Sequence, residues 1–230
     1  MYFRIHYINP PETIIEDIYK LEHSKYVIFK NGNVEVKNYW DLYEKFNTIS
    51  KSTESNFDIA KNEIDTILNN YIKKVVKNEN NFGLYISGGI DSSLVAALCQ
   101  KNSDKQINTF SIGFYEAERN EANESKRIAQ FLGTNHHELY IEPEMAMRTV
   151  RKIPYYYSEP FADASEIPTI ILNEYAKENG IEITITGDGA DQLFCGCSIC
   201  DEIYKAQKVH NLFNPLNIHI PFALTKAKKS

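Results

Sequence analysis

The sequence predicts an α/β fold, in which a parallel sheet carries helices on both faces and a small β-hairpin segment precedes it. Short apolar segments alternate with segments of helical periodicity between residues 57 and 200, and the connections between them are short. This alternation is typical of parallel strands joined by crossover helices. The hairpin is predicted by Asn31-Gly32, because both residues tolerate the positive φ of a two-residue turn.

The elements follow in order along the chain. Strands of the hairpin are predicted at 26–30 and 34–39, residues 50–56 are interpreted as a polar linker, and apolar residues from 64 to 76 recur at helical spacing. Strands are then predicted at 83–86, 107–114, 137–141 and 181–185. Helices are predicted at 92–100, 121–132, 144–153 and 167–178. Gly133 and Gly180 follow two of these helices, as C-terminal glycines do.

We divide the chain accordingly into a linker and hairpin segment (1–49), an α/β domain (57–200) and a C-terminal segment (201–230). Lys and Arg total 25 against 31 Asp and Glu, a formal net charge of −6, whereas a nucleic-acid-binding domain is usually basic. No apolar run approaches the ~20 residues that span a bilayer, and residues 1–10 lack the pattern of a secretory signal. We therefore expect a cytoplasmic protein without nucleic-acid or membrane partners.

The strongest functional signal is the segment SGGIDSS, residues 87–93, where a predicted strand runs through two glycines into a helix. Gly88 and Gly89 let backbone amides turn towards a ligand, and the following helix N-terminus favours a phosphate. Asp91 among phosphate ligands indicates an intervening Mg²⁺ ion. The alternative is an ordinary glycine turn, which the neighbouring hydroxyls and acid disfavour. The segment has no Lys, which distinguishes it from a Walker loop.

A second signal is the segment TITGDGADQLF, residues 184–194, which also predicts a strand that ends in a glycine-rich turn. Asp188 and Asp191 are expected near the carboxyl end of the sheet, where open α/β sheets bind ligands. One of them, opposite Asp91, would complete a Mg²⁺ site. A helix N-cap is the alternative role for Asp188.

Both motifs, in this order, resemble the synthetase domain of glutamine-dependent asparagine synthetases and of the similar β-lactam synthetase. These proteins carry a PP-loop of the ATP pyrophosphatases on an adenine-nucleotide alpha-hydrolase-like fold. The likeness continues through 109–114, 120–121, 132–138 and 158–169, and in order and spacing it covers residues 10–196.

The resemblance implies a carbon–nitrogen ligase that activates aspartate or a similar carboxylate as an acyl-adenylate, releases pyrophosphate and forms an amide with ammonia. ATP and Mg²⁺ are the implied cofactors. Asp91 and Asp191 match Mg²⁺ ligands, and Asp188, which with Asp191 makes up the implied catalytic pair, matches an acid that handles a proton. Asp163 and Ser165 fall in the substrate-proximal segment. The residues implied to bind ATP or pyrophosphate are Ser87, Gly88, Gly89, Asp91, Ser92, Ser111, Ile112 and Gly187.

Departures from the family pattern define two alternatives. Tyr2 stands where a glutaminase domain would carry its Cys nucleophile, and only a short segment follows residue 196. We therefore expect a separate glutaminase or C-terminal helical chain as a partner, or else a truncated member that binds ATP or a partner without full catalysis.

The second alternative is a sulfur-transfer PP-loop enzyme that uses Cys195, Cys197 and Cys200. Three thiols within six residues suit Zn²⁺ or an iron–sulfur cluster, with Cys99, His210 or an external group as the fourth ligand. Small buried residues are the other interpretation of these cysteines, and we favour it.

Overall fold

The computed structural model describes residues 2–49, 56–78, 81–115, 120–194, 196, 202–206 and 208 of the 230-residue chain. The strands in these residues form an antiparallel hairpin and a four-stranded parallel sheet. None of the helices in the described residues is both long and apolar enough to cross a membrane.

The predicted hairpin is confirmed. Strand β1 (Lys25–Lys30) pairs with β2 (Asn33–Asn38) up to the pair Lys30↔Asn33. Asn31 and Gly32 form the two-residue turn, with φ of 53° and 79°. The helices α1 (Tyr2–Ile5) and α2 (Leu42–Ile49), on either side of the hairpin in the chain, were not predicted.

The predicted parallel sheet is also confirmed. Its strands are β3 (Phe82–Tyr85), β4 (Asn108–Gly113), β5 (Asn135–Tyr140) and β6 (Ile183–Ile185), and they lie in the order β5-β4-β3-β6. The chain builds the sheet outwards from β3 to β5 and then returns to place β6 on the opposite side of β3. Such a reversal is a switch point, at which open α/β sheets form a crevice at the carboxyl ends of their strands.

Helices cover both faces of this sheet. They are α3 (Phe57–Asn78), α4 (Ile90–Lys101), α5 (Ala122–Leu132), α6 (Pro143–Val150), α7 (Ile153–Tyr156), α8 (Glu166–Glu178) and α9 (Ala190–Phe194). Helices α4 and α5 pack together against the sheet with α3 behind α4, while α8 packs on β4 and contacts α6.

Alternation of side chains along the strands divides the core into two clusters, because successive residues point to opposite faces. Leu84 of β3 packs with the buried Cys99 of α4 in the first cluster. Phe110 of β4 packs with Leu172 and Ala176 of α8 in the second. This division confirms the prediction of helices on both faces.

One predicted helix is shorter in the structure. The sequence pattern suggested a helix over 144–153, but α6 ends at Val150 and α7 begins only at Ile153. Pro154 is the physical reason. It has no amide hydrogen, and in a continuous helix its ring would clash with the carbonyl of Val150, four residues earlier.

Candidate functional site

The segment from Ser87 to Ser93, here called the first glycine turn, is closed by its own hydroxyl groups. The amide of Ser87 donates to Oγ of Ser92 at 3.2 Å, and the two serine Oγ atoms lie 3.1 Å apart. Ser92 also donates to the carbonyl of Gly89 at 3.3 Å, and Ser93 donates to the same carbonyl at 2.6 Å. Because Ser92 is buried, it holds the turn in one conformation from beneath.

Gly88 is required in this turn for two reasons. Its φ is +80°, and a Cβ atom there would lie 3.2 Å from Cβ of Glu124 in α5. The same helix fixes the end of β3, because the buried Ser125 donates from Oγ to the carbonyl of Ile86 at 3.1 Å. The start of α5 thus supports the turn from behind.

The second glycine turn, residues 186–191, lies directly against the first. A Cβ atom on Gly187 would lie 2.9 Å from the amide nitrogen of Ser92 and 3.3 Å from Cβ of Asp91. Only a glycine permits this approach of the two backbones. Within the turn, Thr186 donates from Oγ1 to the Asp188 carboxylate at 2.9 Å and accepts from the Asp188 amide at 3.3 Å.

Both turns open onto a cavity of about 840 Å³ at the carboxyl ends of β3, β4 and β6. The structure brings most of the residues singled out in the sequence to its wall: Ser87, Asp91, Ser92, Ser111, Ile112, Asp163, Ser165, Gly187, Asp188 and Asp191. Gly88 and Gly89 do not line the cavity. They shape the first glycine turn instead.

The cavity is strongly acidic. The carboxylates at its wall are Asp91, Glu121, Asp163, Asp188 and Asp191, and no Lys or Arg of the described residues lines it. No three His, Cys, Asp or Glu side chains in the described part of the chain converge as a ready metal site. A cation held by two of these acids would therefore take further ligands from its substrate or from water. Mg²⁺ prefers such a mixed oxygen shell.

The start of α8 presents a fixed carboxylate to the cavity. Oδ1 of Asp163 accepts hydrogen bonds from the amide of Ser165 at 2.8 Å and from its hydroxyl at 2.7 Å. These bonds, first the hydroxyl and then the amide, lower the pKa of Asp163, so its carboxylate is ionised at neutral pH. The adjacent Glu166 is buried, and burial together with the Asp163 charge raises its pKa.

Several cavity residues escaped the sequence argument. Tyr85 reaches the wall from β3, where its hydroxyl donates to Oδ1 of Asn173 at 2.5 Å. Glu121 lines the cavity from the residue before α5, and Thr169 and Leu172 line it from α8. Glu121 and Thr169 fall within the family-like segments 120–121 and 158–169, but no pattern in the sequence singled out any of these four residues.

The cysteine segment at 195–200 cannot be placed in the same way. Cys195, Cys197 and Cys200, together with His210, lie outside the described residues. Cys99 is fully buried in the first core cluster, and burial raises the pKa of its thiol to about 12. Metal ligation requires the thiolate, so this environment is unfavourable for the fourth ligand that the sequence suggested.

A glycine turn that leads into a helix, at the switch point of a parallel sheet, defines an α/β protein of the phosphate-binding type. Comparison with known proteins gives the family: the asparagine synthase family model matches residues 63–228. The chain belongs to this family, whose members include ATP-utilising ligases.

Individual relatives agree with this assignment. The chain is 27% identical over 202 residues to glutamine-hydrolysing asparagine synthetase 1 of Bacillus subtilis, a match that covers 87% of this chain and 31% of the relative. It is 25% identical over 166 residues to glutamine-hydrolysing asparagine synthetase B of Escherichia coli, covering 65% and 29%. The chain thus spans about a third of the length of its curated relatives.

Among solved structures, the chain is similar to an NH3-dependent NAD synthetase from Campylobacter jejuni. The TM-score is 0.43 at 20% identity, and the match covers 60% of this chain and 62% of that one.

Proposed function

We propose that the chain activates aspartate, or a similar carboxylate, by transfer of AMP from ATP, with release of pyrophosphate and then amidation by ammonia. One observation carries the proposal: Gly187 packs against Asp91 and Ser92, so the two glycine turns share one cavity. This contact joins a phosphate-binding type of turn to the acids Asp188 and Asp191. Membership of the asparagine synthase family supports the reaction type.

The phosphate end of the site needs a cation. A polyphosphate would be repelled by the five acidic side chains of the cavity wall, and no basic side chain of the described residues offsets them there. We assign Asp91 and Asp191 as the carboxylates that hold Mg²⁺, which would neutralise the phosphate oxygens. The N-terminus of α4 would offer its positive dipole and the amides of its first residues to the pyrophosphate as it leaves.

The base end of the site is assigned to β4. The amide of Ile86 donates to the carbonyl of Phe110 at 2.9 Å, so the backbone groups of Phe110 face β3. Alternate residues of a strand direct their amides and carbonyls to the same side, and those of Ile112 therefore face the space beyond the end of β3. The amide of Ile112 as donor and its carbonyl as acceptor would match the acceptor and donor groups on the edge of adenine.

The remaining acids suit the carboxylate substrate. An aspartate-like molecule carries an α-ammonium group, and the ionised Asp163 offers its counter-charge at the cavity wall. Asp188 lies in the turn beside the phosphate site and would accept a proton as ammonia attacks the acyl group. Ammonia would come from solution or from a glutaminase domain or chain, since the curated relatives are named as glutamine-hydrolysing. We place the reaction in the cytoplasm.

The test is to incubate the chain with ATP, Mg²⁺, aspartate and ammonium, and to measure AMP, pyrophosphate and asparagine. We expect AMP and pyrophosphate in equal amounts and only when aspartate is present. Replacing ammonium by hydroxylamine should trap the activated carboxylate as a hydroxamate. Formation of ADP and phosphate would contradict the proposal. ATP binding without AMP formation would favour the alternative of a binding-only family member.

A further inference from the structure

A chain of side-chain hydrogen bonds runs beneath the carboxyl end of β4, on the face that packs against α5. Nε2 of His136 lies 3.1 Å from Oγ of Ser111, and Nδ1 of the same ring lies 3.0 Å from Oγ1 of Thr109. Oγ1 of Thr109 lies 2.8 Å from Oγ1 of Thr134, which donates to the carbonyl of Ala129 at 3.4 Å. We call these four side chains the His136 relay.

These bonds form one consistent sequence of donors and acceptors when the Thr134 proton is assigned to the Ala129 carbonyl, which has no proton to give. Thr134 donates its hydroxyl proton to the carbonyl of Ala129, so Thr109 donates to Oγ1 of Thr134. Thr109 then accepts from Nδ1–H of His136, and the unprotonated Nε2 accepts from the Ser111 hydroxyl. Burial lowers the pKa of His136, which agrees with a neutral ring.

The relay ends at the wall of the cavity. Ser111 is buried, with 2% of its surface exposed, yet it contributes to the cavity wall, and Ile112 follows it there. Buried polar groups need partners, and His136 supplies the partner for the Ser111 hydroxyl. The bond therefore adds to the pairing with β5 in holding the backbone from Ser111 to Ile112, where β4 extends beyond β3.

We propose that His136 is a positioning residue for the nucleotide base: through Ser111 it holds the backbone amide and carbonyl of Ile112 in the register that accepts adenine. This inference rests on the proposed ATP site. It extends that proposal to a side chain that does not line the cavity and that touches no substrate.

The experiment compares His136→Gln with His137→Gln in the full chain. His137 is the matched control because it lies next in β5 but on the opposite face, where it stacks on Phe110 at 4.7 Å between ring centroids. His137→Gln also removes comparable hydrogen bonds, which Nε2 of His137 makes with Asn108 at 3.2 Å and with Asn135 at 3.1 Å. Calorimetric titration with MgATP and with MgGTP gives the base preference of each variant. Guanine has the donor and the acceptor of the adenine edge in reversed positions. The ratio of the two affinities therefore measures recognition of the base and not of the phosphates.

We expect His136→Gln to weaken ATP binding about 3–10-fold, the worth of one lost hydrogen bond, and to change GTP binding less. The preference for ATP should therefore fall in His136→Gln and stay constant in His137→Gln. Ser111→Ala should lower the preference for ATP in the same way. It replaces His136→Gln as the test variant if His136→Gln melts at a much lower temperature. An unchanged preference in both His136→Gln and Ser111→Ala would overturn the positioning role alone. A parent chain that binds no ATP would overturn the proposed function, and the positioning role with it.

Discussion

The two glycine turns follow adjacent parallel strands and meet at one cavity, but they are held in different ways. Each contains a glycine in the left-handed region, Gly88 at φ +80° and Gly189 at φ +91°. Around Gly88, a Cβ atom would meet Glu124 at 3.2 Å, whereas around Gly189 it would meet nothing within 4 Å. Gly88 is thus packed against α5, whereas the space around Gly189 is open.

In line with the proposed function, we assign a different task to each turn. A site for a departing anion works best when its donors are already in place, because no reorganisation is then needed during the reaction. The buried Ser92 and the support of α5 give the first turn that rigidity. The second turn leaves the exposed carboxylates of Asp188 and Asp191 free to face a substrate or an ion. The predictions below test this division, from the largest expected effect to the smallest.

The acids of the second turn should affect different steps. Asp188→Asn should lower the rate of amide formation about 10²–10⁴-fold, the usual worth of a general acid–base group, and leave ATP affinity nearly unchanged. Asp191→Asn should weaken MgATP binding more than about tenfold. Even the loss of a residue that only hydrogen-bonds to a metal ligand typically lowers metal affinity by about that factor. Rates come from asparagine formation and affinities from calorimetry. Asp104→Asn, an exposed Asp after α4, is the control for charge. Equal loss of ATP affinity in Asp188→Asn and Asp191→Asn would contradict the division of roles.

The glycines should show the contrast in packing. Gly189→Ala introduces only backbone strain, of about 1–2 kcal/mol in the free energy of unfolding. Gly88→Ala adds the contact with Glu124 to the same strain, so we expect about 2–4 kcal/mol and a loss of ATP binding. Urea unfolding of both variants measures the difference. Similar losses of stability would show that α5 yields easily and that the first turn is less rigid than its contacts indicate.

Within the first turn, the hydroxyls of Ser92 and Ser93 should contribute differently to stability. Ser92→Ala leaves the Ser87 amide without its buried acceptor and should cost about 1–3 kcal/mol in the free energy of unfolding. Ser93→Ala removes a single bond to the Gly89 carbonyl and should cost about 0.5–1 kcal/mol. If Ser93→Ala proves the more destabilising, the turn is held by its bond to the first turn of α4 and not by the buried Ser92.

The smallest effect is expected in the second turn. Thr186→Val keeps the shape of the side chain and removes its two hydrogen bonds with Asp188. Because the turn is exposed, water replaces these bonds, and the free energy of unfolding should change by less than about 1 kcal/mol. The rate of amide formation is the informative measurement. A slower rate with unchanged stability would mean that Thr186 orients Asp188, whereas a large loss of stability would remove the contrast between the two turns.

Local signals in the sequence predicted most elements because short-range physics decides them. Asn31-Gly32 had to turn, since its neighbours alternate and both residues adopt positive φ. Gly133 ended α5 in the left-handed conformation, as glycine does at helix ends. The break after Val150 was also local, because Pro154 excludes a continuous helix, but the hydrophobic periodicity across it concealed the break.

The candidate site was predicted less evenly. Residues inside glycine motifs, such as Asp91 and Gly187, could be singled out because the motif itself carries chemistry. Glu121 and Thr169 lie in segments that only the family resemblance marked, and each reaches the cavity only after the helix that follows or contains it has packed against the sheet. His136 also lies in such a segment, and its bond to Ser111 depends on the pairing of β4 with β5.

By itself, the sequence determined the alternation of strands and helices, the two glycine turns, and the acids that they carry. Each of these depends on contacts within a few residues. Tertiary structure alone decided that β6 lies beside β3, that Gly187 packs against Ser92, and that the hydroxyl of Ser111 forms a hydrogen bond with the ring of His136. These contacts join segments far apart in the chain. Their register is set by the packing of whole strands and helices, because burial of both sheet faces permits only one arrangement.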